Sequence, residues 1–171
     1  MMNTIALFVA GVVTGTPVWV WGILVMLLFF GWRATREREM PVIAYLIMPL
    51  WGILSVTTVA QSAPTAAIWA GFIGAYFVGM TFGWRAQGGI ILSAGAGRAV
   101  LRGEWLTLAL LMTMFWLRFV NGAAEAIAPD FAASAPVVAT ITFVGGASAG
   151  VFMGRSARTL RAIYATQTRA S

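Results

Sequence analysis

The chain has 171 residues, 60% of them apolar and 9% charged, against roughly 25% charged in an average soluble domain, and its mean hydropathy is +0.87. This composition excludes an ordinary soluble globule and predicts several bilayer-spanning helices of about 20 residues each. There is no Cys, His or Lys, so every basic residue is Arg, which excludes disulfides, thiol or imidazole catalysis, the usual zinc and haem sites, and a Schiff base to retinal or pyridoxal.

In chain order, the first apolar stretch raises a length problem. Thr4 to Trp32 as one helix would measure roughly 44 Å, too long for one straight span. Residues 4–14 are therefore expected to form a short interfacial segment, broken from span one (16–32) at Gly15-Thr16-Pro17. Pro17 suits a helix first turn, and Trp19 and Trp21 suit an interfacial belt. The start Met-Met-Asn-Thr has no basic n-region, which argues against a signal peptide. Span two is expected over 41–60, bent near Met48 by Pro49 in its interior. The polar break Gln61-Ser62-Ala63-Pro64-Thr65 leads into span three (66–84). Spans four (105–124) and five (136–154) follow, with a basic interfacial tail over 155–171 carrying Leu160, Ile163 and Tyr164 as its apolar strip. Between spans three and four, Ile90-Ile91-Leu92 and Val100-Leu101 flank the turn Gly95-Ala96-Gly97-Arg98 and predict a small surface hairpin. The expected fold is an all-α polytopic membrane protein with five transmembrane helices.

Ten arginines fall on one side of this scheme: Arg33, Arg36 and Arg38; Arg85, Arg98 and Arg102; Arg155, Arg158, Arg161 and Arg169. The opposite connections carry Glu125 and Asp130. The positive-inside rule then predicts an N-terminus outside and a cytoplasmic C-terminus. The net charge of +6 and the sequence pI of about 11.4 follow from this topology, and no nucleic-acid partner is expected. Spans one, three and five end alike, in Phe30-Gly31-Trp32-Arg33, Phe82-Gly83-Trp84-Arg85 and Met153-Gly154-Arg155. On that pattern Arg33, Arg85, Arg98, Arg102, Arg155 and Arg158 are expected to meet lipid headgroups.

Small residues four apart, Gly79/Gly83, Gly146/Gly150 and Gly150/Gly154, predict close helix packing, with spans three and five as the tightest pair. Arg118 alone stands inside a span, roughly 20 Å beyond Trp105 along the helix. Asn121 and Glu125 continue it as one polar stripe toward the outer surface. A guanidinium at that depth is costly without a partner, so the stripe is a snorkelling Arg paired with Glu125 or a lipid phosphate, an intramembrane anion, headgroup or proton site, or a contact with another subunit.

Three segments carry a family resemblance: Thr16-Pro17-Val18-Trp19-Val20-Trp21, Gly103-Glu104-Trp105-Leu106-Thr107-Leu108 and Gly150-Val151-Phe152-Met153-Gly154-Arg155. With their spacing, the chain resembles the DUF6622 family, small bacterial membrane proteins of unknown function. The resemblance implies a bacterial inner-membrane setting and no activity. Two functions are then expected in turn. The first is a non-catalytic structural protein or accessory subunit packing against lipid, a homo-oligomer or a larger membrane complex. The alternative is a small transporter, channel or lipid-handling protein using Arg118. An enzyme is disfavoured, because the five carboxylates divide between the two faces and only Glu125 and Asp130 could meet. No metal site is expected and no cofactor is required, although a bound lipid or non-covalent pigment is compatible with the sequence.

Overall fold

A computed structural model describes residues 15–47, 56–57, 60, 65–95 and 97–170. The expected interfacial segment 4–14, the Pro49 kink and most of span two lie outside the described residues. The fold is mostly helical, and among the described residues three helices are long and apolar enough to cross a membrane. These are α3 (Ala66–Gly88), α4 (Leu106–Ile127) and α6 (Ala135–Ala170), joined by the shorter helices α1 (Val18–Ala34), α2 (Val42–Ile47) and α5 (Pro129–Ala132). Such helices mark the chain as a membrane protein.

The helix ends depart from the expected spans in ways local chemistry explains. Pro17 is the N-cap of α1 and not its first turn (φ −55°, ψ 139°). Helix α3 starts on the Thr65 hydroxyl, which accepts from the Ile68 amide, and continues a full turn past Trp84 to Gly88. The helix of span five continues past Gly154 through the tail, as its arginine spacing leads one to expect, as one 36-residue helix.

The all-α expectation needs one addition, a three-stranded antiparallel sheet in the order β1-β3-β2, made of β1 (Arg38–Pro41), β2 (Ile91–Gly95) and β3 (Arg98–Leu101). The hairpin of β2 and β3 occupies the expected place, while β1 comes from the connection after α1. Pro41, expected to open span two, closes β1, on an edge strand that tolerates a missing donor. Val42 then starts α2. Leu101 and Ala99 of the central strand are buried with Tyr45 and with Ile163 of α6. The tail strip is corrected accordingly: Ile163 is fully buried and Leu160 packs against the same core. The sheet offers an apolar face one helix-width from α6, and covering it removes more apolar surface from water than lying at an interface would. Only Tyr164 of the three is exposed.

Gly97 holds φ +74° in the hairpin turn, the left-handed region that a Cβ disfavours. Gly97→Ala is expected to lower stability by about 1 kcal/mol, read as a fall in the unfolding midpoint in detergent. Gly89→Ala, at φ −84° with nothing near the added atom, should leave the midpoint in place.

Glycines also set the helix packing. Helices α3 and α6 meet backbone to backbone: Gly79 lies on the carbonyl of Ala147, Gly83 on that of Val151, Gly150 on that of Tyr76 and Gly154 on that of Met80. Gly146 completes the seam 2.9 Å (measured from an added Cβ) from the Phe72 carbonyl oxygen. Elsewhere, Gly31 of α1 receives Leu108 of α4.

Candidate functional site: a buried arginine junction

The glycine seam delivers α6 to the end of α3 at contact distance, and one residue past Gly154 this places Arg155 in the interior. Its side chain is 4% exposed and that of Glu104 8%. All three guanidinium nitrogens are engaged. Nε donates to Gln87 Oε1 at 2.9 Å, Nη1 to Thr107 Oγ1 at 3.1 Å, and Nη2 to Glu104 Oε1 in an ion pair. The hydroxyls close the network in both directions: Thr107 donates to Glu104 Oε1 at 2.7 Å, and Thr159 accepts from Gln87 Nε2 at 3.1 Å while donating to the Arg155 carbonyl. Gln87 and Thr159 are fully buried.

Backbone contacts hold Glu104 in this position. Gly103 touches the Thr35 carbonyl so closely that no side chain fits there, and the Glu104 amide donates to the Ala34 carbonyl at 2.9 Å. Trp32 and Trp105 meet edge to face beside this clamp, with ring centroids 6.3 Å apart. The carboxylate thus stands where α1, α3, α4 and α6 converge on the sheet. Arg38 of β1 faces the same carboxylate. Burial pushes the Arg38 guanidinium below its ordinary value, and the Glu104 charge opposes that shift. Arg38 Nη1, Glu104 Oε2 and Ser156 Oγ are the buried side-chain polar atoms with no hydrogen-bond partner among the described residues.

The expected headgroup role of Arg155 is therefore corrected. Unlike Arg33 and Arg85, which are exposed near the ends of their helices, Arg155 sits mid-helix against a neighbour at glycine distance and finds a carboxylate there. Arg98 and Arg102 are exposed on the sheet, Arg98 in a solvent-facing pair with Glu39 at 3.4 Å. Such a pair contributes at most about 1 kcal/mol. Arg158 is partly buried against Trp84.

The stripe of Arg118, Asn121 and Glu125 is a separate feature. Asn121 Nδ2 donates to Glu125 Oε1 at 2.7 Å, and Arg118 and Glu125 are exposed. Arg118 shares a helix face with Thr107, three turns away, but Leu111 and Met114 lie between them, and roughly 16 Å of helix separates stripe from junction. The five packing glycines, by contrast, come together in the single α3–α6 seam.

The Glu104 carboxylate is already engaged by Arg155 and Thr107, and among the described residues no three carboxylates, imidazoles or thiols stand together. The junction escaped sequence reasoning although part of a signal existed: the line Gly79, Gly83 continues at the same spacing into Gln87. On α3 the polar residue that extends the glycine seam is buried by it.

These features define a mostly helical membrane protein with a small three-stranded sheet, in which Glu104, three residues past β3, is held to α6 by a buried ion pair with Arg155. Compared with family models, with curated proteins and with solved structures, the chain matches none.

Proposed function

We propose that the protein is a non-catalytic accessory or structural subunit of the bacterial inner membrane that packs laterally against a larger membrane complex. The observation that carries this is α4. It is a 22-residue membrane-length helix with no buried residue, held at its first turns by Glu104, Thr107 and Leu108. Its far half offers Trp116, Val120 and Ile127 on one face and the stripe of Arg118, Asn121 and Glu125 on another. A helix of this length with no buried residue and with polar side chains at bilayer depth is suited to a second protein. The junction engages all three guanidinium nitrogens of Arg155 with side chains of the chain itself, which supports a structural role over a ligand site. The inner-membrane setting rests on the resemblance to the DUF6622 family.

Five spans with a cytoplasmic C-terminus belong to the same proposal. Helices α1, α3 and α6 all run toward the sheet, which suits spans one, three and five running in one direction, and span two over 41–60 is the return crossing of this proposal. With the arginines gathered at the sheet end, a reporter fused after Ser171 is expected to be active in the cytoplasm, and periplasmic activity would overturn the orientation.

A photo-crosslinking residue at Trp116 tests the partner. The expected result is a discrete heavier adduct containing a second membrane protein, absent when the probe stands at Phe77 on α3. Adducts with lipid alone, from a chain that purifies unaccompanied in mild detergent, would sink the proposal.

A further inference from the structure

Two arginines beyond the junction share a single aromatic ring. Arg158 and Arg161, one turn apart on α6, bring their guanidinium carbons to 5.3 and 5.7 Å from the centroid of the Trp84 ring. Arg158 also rests on the last turn of α3, where a side chain at Gly88 would come within 3.4 Å of Nη2. All five carboxylate side chains of the sequence are described, and none forms an ion pair with either arginine: Glu39 is paired with Arg98, Glu104 with Arg155, and Glu125 is bonded to Asn121. The exposed Arg85 adds a further positive charge beside Trp84. Two like charges on one ring repel each other, and a phosphate group shared between them converts that repulsion into charge-assisted hydrogen bonds.

The place of this pair in the fold selects the source of the phosphate. Trp84 lies one turn from the end of a membrane-length helix, the depth at which Trp and lipid headgroups meet. Seven and eleven residues back on the same face of α3 stand Phe77 and Ile73, both exposed apolar side chains, which form a track away from Trp84 into the bilayer. We infer that Trp84, Arg158 and Arg161 form a binding site for an anionic phospholipid, with the phosphodiester between the two guanidinium groups and an acyl chain along Phe77 and Ile73. The inference rests on the membrane reading and not on the accessory-subunit proposal.

Native mass spectrometry of the full chain in neutral detergent, titrated with phosphatidylglycerol, tests it. The wild-type chain should retain one phosphatidylglycerol in preference to phosphatidylcholine. Arg158→Gln/Arg161→Gln should weaken that binding at least about tenfold more than Arg36→Gln/Arg102→Gln, which removes the same charge elsewhere at the same end of the molecule. Trp84→Leu keeps every charge and should still weaken it several-fold. Arg161→Gln alone, at an exposed position, serves if the double variant does not fold. Equal losses in the two double variants would show diffuse attraction only, and displacement of the lipid by equimolar inorganic phosphate would show a free-phosphate site. Either result overturns the inference. A chain recovered without detergent would instead defeat the membrane reading itself.

Discussion

Arg155→Met is expected to destabilise the folded chain by about 3–5 kcal/mol, the usual consequence of leaving one partner of a buried ion pair behind. Glu104 would stay enclosed at the meeting point of four helices with its charge facing only Arg38, and Gln87 Oε1 and the Thr107 hydroxyl would each lose a donor. The loss should appear in denaturing-detergent titrations as an earlier transition. Hydrogen exchange should accelerate first in β1 and β3, because the junction connects the sheet to the bundle. Arg98→Gln on the same sheet breaks only an exposed pair and should move the transition by less than about 1 kcal/mol.

Gly150→Leu is expected to be comparably damaging for a steric reason. Even the first carbon of a side chain at Gly150 would occupy the position of the Tyr76 carbonyl oxygen, so helices α3 and α6 must separate along the whole seam. Overpacking of this kind costs about 1–3 kcal/mol where a core can adjust. Here the obstacle is backbone, so the upper end or beyond is expected. Gly83→Leu meets the Val151 carbonyl and should behave alike. Gly74→Ala on α3, with nothing near the added atom, and Ala109→Leu on the exposed face of α4 should each leave thermal stability in detergent nearly unchanged. Equal tolerance at all four positions would mean that the seam glycines do not hold the pair together.

How much of this arrangement was legible in the sequence depends on the range of the interaction. The membrane-length helices follow from runs of apolar residues longer than any soluble helix needs, and the α3–α6 contact from glycines at a fixed spacing; both signals are local and periodic. The hairpin was readable from two apolar runs about a Gly-rich turn. Strand β1 was not, because Arg38-Glu39-Met40-Pro41 has neither alternation nor β-branched residues and becomes a strand only when β3 supplies its partners. Arg155 was misplaced for a related reason. An arginine at the end of an apolar stretch has the same local signature whether it reaches headgroups or a carboxylate 51 residues away in sequence, and only the long-range approach of Glu104, pinned by Gly103 on Thr35, decides between them. Arg118, conspicuous as a lone charge within a span, stands outside the buried network.

The central claim, that Arg155 and Glu104 act as one fastening between bundle and sheet, is tested most directly by a double-mutant cycle on Arg155→Met and Glu104→Leu in denaturing-detergent unfolding. If the two side chains serve each other, removing the second costs much less once the first is gone, because no uncompensated charge is left enclosed. The double variant is predicted to lose about 2 kcal/mol less than the sum of the single losses. Additive losses, or single variants as stable as the wild-type chain, would contradict a shared structural role.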